Sequence, residues 1–190
     1  MPYLIYLHGF NSSEHSHKAT LIQQRMLALG LSDYFLSPRL DWQPAVAIEQ
    51  ASTLIEAHLA QGVTLIGSSL GGYYATYLAE KYALKTILVN PAVAAHELLV
   101  DYLGPQINPY THEAYVLTRQ HMQQLEMLDV PSIDPEYYWL MLQEGDEVLN
   151  YRYALAKYPN VQLTCEPAGD HSFVQFERFI DDILVYAGLL

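Results

Sequence analysis

The feature that most constrains the fold is a regular alternation of short β-type runs with longer segments of helical spacing, the pattern of a parallel sheet with helices on its faces. Tyr3 to Leu7 reads as the first strand. The segment Lys18 to Leu29 sets Ala19, Ile22, Met26 and Leu29 on one face and stops at Gly30, a residue suited to ending helices. A short strand over Tyr34 to Leu36 follows. Pro44 fits a first helical position, after which Val46, Ile48, Ala51, Leu54, Ile55 and Leu59 form an apolar face ending before Gly62. Val63 to Ile66 is a third strand, Leu70 to Tyr82 a helix and Thr86 to Val89 a fourth strand, closed by Asn90 and Pro91.

The alternation breaks between about Ala92 and Pro135, a polar, proline-dotted and partly helical stretch, too long for an ordinary connection and predicted to hold no strand of its own. It reads as a mainly helical insertion lying over the sheet and the active site. Tyr138 to Leu142 resumes the pattern, a helix over Val148 to Tyr158 stops at Pro159, and Val161 to Cys165 is the last strand. A helix from Ser172 to Tyr186 closes the chain, burying Phe173, Phe176, Ile180, Ile183 and Leu184. A chain of 190 residues is near the size of one domain and can bury roughly 70% of its unfolded surface. The expectation is one α/β domain: a doubly wound, six-stranded parallel sheet with helices on both faces and functional loops at the carboxyl ends of the strands.

Gly67-Ser68-Ser69-Leu70-Gly71 matches G-x-S-x-G and falls between a predicted strand and a predicted helix, the context that makes this pattern a nucleophile elbow. The alternative is that Ser69 merely caps the helix after it. Only Ser69 holds the central position; Ser68 reads as a small spacer, and Gly67, Gly71 and Gly72 give backbone room. A serine hydroxyl needs a base and an orienting acid, and in this class they follow in the order acid, then histidine, each on a loop after a strand. Asp146 follows the fifth strand in Gln143-Glu144-Gly145-Asp146-Glu147-Val148, and His171 follows the sixth in Gly169-Asp170-His171-Ser172. Asp146 could instead cap the next helix and His171 could sit idle at a helix start. The joint occurrence of the right residue types, in the right order, each just past a strand, favours the triad. Glu144, Glu147 and Asp170 compete for the acid; Asp146 is preferred because Gly145 supplies a turn that aims it. His8-Gly9-Phe10 after the first strand offers the Phe10 NH as one oxyanion donor, and the Leu70 NH at a helix start offers the second.

Other features carry less. His15 and His17 alternate in a polar loop without further ligands nearby, so they read as solvated residues and no metal or cofactor is expected. Tyr73, Tyr74, Tyr77 and Tyr82 form a packing stripe, with Tyr73 or Tyr74 bordering the site. Cys165, the single cysteine, reads as a buried strand residue. Lys plus Arg is 9 against 21 Asp plus Glu, a balance of −12, which disfavours nucleic acid, anionic membranes and anionic substrates. With no basic leader before Tyr3 the chain reads as soluble and cytoplasmic.

Taken together, His8-Gly9-Phe10-Asn11-Ser12-Ser13, the Gly67 to Tyr74 elbow, Asn90-Pro91-Ala92, Asn108-Pro109-Tyr110-Thr111, Gly145-Asp146-Glu147-Val148 and Gly169-Asp170-His171 resemble the small bacterial YqiA-type esterases of the α/β-hydrolase superfamily over nearly the whole length. The resemblance implies a serine esterase acting on short acyl esters and on acyl-CoA thioesters through Ser69, Asp146 and His171. Members mostly carry Gly after Asn-Pro-Tyr-Thr, where this chain has His112. The competing functions are a peptidase or acyltransferase on the same triad, or a non-catalytic binding module on the same fold.

Overall fold

The computed structural model describes all of residues 1–190. Eight strands and seven α-helices follow in chain order: β1 (Tyr3–Leu7), α1 (His17–Ala28), β2 (Phe35–Leu36), α2 (Pro44–His58), β3 (Val63–Ser68), α3 (Leu70–Tyr82), β4 (Thr86–Val89), α4 (Ala95–Leu98), β5 (Gly104–Ile107), β6 (Ala114–Leu117), α5 (Arg119–Glu126), β7 (Tyr138–Gln143), α6 (Tyr151–Lys157), β8 (Gln162–Glu166) and α7 (Ile180–Tyr186). Six strands form one sheet in the order β2-β1-β3-β4-β7-β8, every neighbouring pair parallel.

Period-2 geometry explains why the strands are continuously apolar. Alternate side chains point to opposite faces, and here both faces are covered. Ile5, Leu7, Leu65, Leu88, Leu140 and Leu142 pack on one side with Ala47, Ala51 and Ile55 of α2, Tyr74 and Leu78 of α3 and Ala154 of α6. Leu4, Tyr6, Ile66, Ile87, Val89, Trp139 and Met141 pack on the other with Ala19, Ile22 and Met26 of α1 and Ile180, Ile183 and Leu184 of α7. No helix is long and apolar enough to cross a membrane.

The chain winds from β1 outward to β2, then returns to place β3 on the other side of β1. The carboxyl ends of β1 and β3 are therefore neighbours at the point where the winding reverses, the place where open α/β sheets bind ligands. Leu7 pairs with Gly67 in the register, so the loop after β1 and the elbow after β3 emerge side by side.

Three expectations are corrected. Residues 92–135 do contain strands: β5 and β6 pair antiparallel as a separate hairpin, Gly104 opposite Leu117 and Ile107 opposite Ala114. Their alternation is short, with Tyr115 and Leu117 buried and Ala114 and Val116 exposed, so the signal is that of a half-buried ribbon. The closing helix starts at Ile180 rather than Ser172, because Phe173 (φ 63°) and Gln175 (φ 60°) adopt left-handed backbone that a helix excludes; the burial of Phe173 and Phe176 stands. The helix expected from Val148 begins at Tyr151, since Asp146 takes the amides of Val148 and Leu149 into a turn and Asn150 supplies the cap to Arg152. Cys165 lies on edge strand β8 and is half-buried.

Candidate active site

Ser69 sits between β3 and α3 with φ 56° and ψ −123°, a strained conformation for a residue with a side chain. Its hydroxyl makes no capping hydrogen bond to α3, so the helix-cap alternative does not describe it. The turn closes only because small residues stand on either side. A Cβ on Gly71 would lie 2.0 Å from the Leu7 carbonyl oxygen, and one on Gly67 would lie 2.3 Å from the Gly71 carbonyl oxygen. Gly9 rests on the nucleophile itself: a Cβ there would be 3.1 Å from Ser69 Cβ. Ser68 is buried beside the Tyr6 hydroxyl.

His171 Nε2 lies 3.1 Å from Ser69 Oγ, and His171 Nδ1 lies 2.8 Å from Asp146 Oδ2. The Asp146 side chain is only 2% exposed. Its other oxygen, Oδ1, accepts from Val148 NH at 2.9 Å and Leu149 NH at 2.7 Å, so the carboxylate is held in orientation by backbone donors while one oxygen faces the imidazole. The competing carboxylates are engaged otherwise. Glu147 Oε2 accepts from the His171 backbone NH at 3.0 Å, Asp170 Oδ1 accepts from the Ser172 hydroxyl at 2.5 Å, and Glu144 is exposed. Gly145 acts by close approach, since a Cβ there would lie 2.3 Å from the Gly169 carbonyl oxygen. The acid loop and the histidine loop touch at that glycine.

Residues that the sequence did not single out for the site hold the histidine loop. Asn90, buried at the end of β4, donates from Nδ2 to the carbonyls of Asp170 (3.0 Å) and His171 (3.3 Å), while its Oδ1 accepts from Gln143 NH at 3.0 Å. Gln143, the last residue of β7, accepts at Oε1 from Asp170 NH (3.1 Å) and Val174 NH (2.8 Å), and its Nε2 donates to Glu166 and to the Val174 carbonyl. A buried amide at a strand end, where apolar residues otherwise prevail, was the available signal. Lys18, 9% exposed, donates from Nζ to the Ser172 carbonyl at 2.9 Å. Burial pulls its pKa down to about 8 against the opposing pull of Asp170 and Asp146.

The loop after β1 is fixed from both sides. His8 is buried; its Nε2 accepts from Leu40 NH at 3.0 Å and its Nδ1 lies 3.0 Å from the Gly9 carbonyl oxygen, which defines a neutral ring with the proton on Nδ1. Burial holds the His8 pKa below its ordinary value. From above, the β5–β6 hairpin reaches down: Tyr115 OH donates to Asn11 Oδ1 at 2.6 Å and Asn108 Nδ2 donates to the Ser12 carbonyl at 2.9 Å. Tyr73 and Tyr74 are core residues, with the Tyr73 hydroxyl donating to the Leu125 carbonyl; Tyr74 borders a small polar cavity that also touches Leu70 and Phe10. Burial raises the pKa of both phenols.

Two larger cavities meet at Ser69 and His171. One, about 370 Å³, is walled mainly by Phe10, Leu70, Leu98, Leu99, Tyr102 and Leu149. The other, about 340 Å³, is polar and includes Ser12, Ser16, Lys18, Tyr110, Glu147 and Ser172. Phe10 and Leu70, the expected oxyanion donors, both border the apolar cavity beside Ser69. His15 is exposed, and the exposed His17 lines the polar cavity.

A model of an uncharacterised protein family, UPF0227, matches residues 3–188. Among solved structures, a protein of Agrobacterium vitis S4 designated a hydrolase aligns with TM-score 0.75 at 19% identity, covering 98% of this chain and 88% of the other. Mouse alpha/beta hydrolase domain-containing protein 10 aligns with TM-score 0.74 at 18% identity over 97% and 90%. Est1E of Butyrivibrio proteoclasticus, with ferulic acid bound, aligns with TM-score 0.73 at 12% identity over 100% and 90%. At these identities the likeness establishes the α/β-hydrolase fold.

Proposed function

The chain belongs to the uncharacterised family UPF0227, the YqiA-like family, and on that premise we propose that it is a serine hydrolase that cleaves carboxylic esters. The observation that carries this reading is the relay from Asp146 Oδ2 through the His171 ring to Ser69 Oγ, with hydrogen-bond distances of 2.8 and 3.1 Å on a strained elbow.

In the proposed mechanism Ser69 Oγ attacks the ester carbonyl as its proton passes to His171 Nε2. The Phe10 and Leu70 amides hold the oxyanion, and the N-terminal end of α3 favours the same negative charge. His171 returns the proton to the departing alcohol. Water, activated by the same imidazole, then hydrolyses the acyl-enzyme, and Asp146 stabilises the imidazolium in both halves. No step requires a metal or organic cofactor. Ligand cavities commonly enclose about 300–1,000 Å³; the apolar cavity, about 370 Å³, suits a short acyl chain, delivered from an oxygen ester or an acyl-CoA thioester. Its wall comes largely from the insertion, through Ala95, Leu98, Leu99 and Tyr102.

A fluorophosphonate probe is expected to label the wild-type protein and to leave Ser69→Ala unlabelled while both fold alike. Folded wild type that resists the probe would overturn the enzyme reading.

A further inference from the structure

The polar cavity beside the nucleophile is not needed to explain the triad, yet Ser69 and His171 border both it and the apolar cavity. An ester bound with its acyl chain against Leu98, Leu99 and Tyr102 must send its alcohol portion out of the other side, towards His171. We propose that the polar cavity bounded by Tyr6, Ser12, Ser16, Lys18, Glu147 and Ser172 binds an uncharged, polyhydroxylated leaving alcohol, making the protein selective for acyl esters of such alcohols. This rests on the serine-hydrolase reading and deepens it.

Hydrogen-bond capacity left unused inside the cavity is the first observation. Lys18 is nine-tenths buried, and its ammonium, with three donors, gives one bond, to the Ser172 carbonyl. Ser16 precedes α1 at the capping position, but its side chain makes no cap. Its Oγ is buried, with the Tyr6 hydroxyl as its one polar neighbour. A hydroxyl both donates and accepts, so a bound group can use the capacity that Tyr6 leaves free.

The second observation is the charge around the ammonium, which selects the chemistry of that group. Lys18 feels Asp170 and Asp146, and Glu147 stands on the cavity wall with His17 and His171. One lysine against three carboxylates leaves no surplus positive field for an anion. Donors (Lys18 and the hydroxyls) and acceptors (Glu147 and the same hydroxyls) are interleaved, and a hydroxyl group both donates and accepts. A polyol matches that lining; a phosphate or carboxylate, which only accepts, does not. The chemistry balances without another reactant than water. The bond from Ser69 Oγ to the acyl carbon forms, the bond from that carbon to the polyol oxygen breaks, and the serine proton leaves with the polyol by way of His171.

The test compares kcat/KM on butyrate esters of glycerol, propan-1-ol and glycerol 3-phosphate, for wild type, Lys18→Met and Ser16→Ala, with circular dichroism to check folding. Wild type is expected to prefer the glycerol ester over the propyl ester by about tenfold or more and over the phosphorylated ester as well. Each variant is expected to narrow the glycerol-to-propyl ratio. A wild-type ratio near one, a preference for the phosphorylated ester, or variants that lower both rates by the same factor would overturn the proposal. If wild type turns over propyl butyrate and reacts with a fluorophosphonate but shows no glycerol preference, the leaving-group inference alone fails; if it does neither, the hydrolase reading fails with it.

Discussion

The strand-end loops and the insertion are built on different physics. Around Ser69, Asp146 and His171, backbone and buried amides saturate one another: Asn90 and Gln143 alone make seven hydrogen bonds that tie the histidine loop to β4, β7 and β8. In the insertion, apolar residues face both the cavity and solvent, with Leu98 38% exposed and Tyr102 46% exposed, and the hairpin is held by a few contacts such as Tyr115 to Asn11. The first region holds the relay in a fixed orientation, which the proposed acyl transfer would need. The second shapes a wall. Chemistry and selectivity are thus separable, and substitutions in the two regions should change different kinetic quantities.

The largest effect is expected at the relay. His171→Ala should abolish nearly all turnover with little loss of folding stability, and Asp146→Asn should lower kcat by about 10,000-fold. Glu144→Gln and Glu147→Gln should stay far closer to wild type in ester hydrolysis assays. Equal losses for Asp146 and Glu147 would break the assignment of the acid.

Gln143→Ala tests whether the network, rather than the relay alone, sets the geometry. Removing the acceptor shared by the partly buried amides of Asp170 and Val174 is expected to lower kcat by about 10- to 100-fold, with KM little moved, and to cost about 1 kcal/mol in urea unfolding. Tyr102→Ala, in the insertion, should do the reverse: kcat on the best ester changes about twofold to fivefold or less, while the preferred acyl chain lengthens as the wall recedes. A chain-length series on both variants sharpens the contrast.

The loop after β1 gives a pH-dependent test. Burial lowers the His8 pKa below its ordinary 6.5, and His121 is lowered in the same way. As pH falls below 6.5, the unfolded chain takes up the proton first, so stability decreases from that pH downward, by at most about 1.4 kcal/mol per pH unit for each histidine. Urea unfolding between pH 7 and 5 should show this slope, and His8→Asn should make it shallower. The smallest effect is expected at the hairpin turn, where His112 holds φ 59°. His112→Gly should stabilise by up to about 1 kcal/mol in thermal unfolding, because only glycine adopts that backbone without a side-chain clash.

Much of this was legible from residues alone because strand ends are marked twice, by the end of an apolar run and by the small or polar residues after it. The six parallel strands, the elbow at Ser69 and the order in which Asp146 and His171 follow it all come from such local signals. The hairpin at 104–117 was not legible, since two half-buried four-residue strands in a polar stretch carry too little periodicity to separate from loop. The start of the last helix is hidden for a related reason: Phe173 and Phe176 have helical spacing and are buried, but the backbone is left-handed at Phe173 and Gln175.

Local residue patterns carried the doubly wound fold and nominated Ser69, Asp146 and His171 as candidates, because periodicity and short motifs act over a few residues. Only the tertiary structure decided which carboxylate faces the imidazole, that Asn90 and Gln143 brace it, and that an apolar and a polar cavity flank Ser69. Those facts depend on residues from distant parts of the chain meeting at one edge of a sheet, and it is the strand order of that sheet that brings them together.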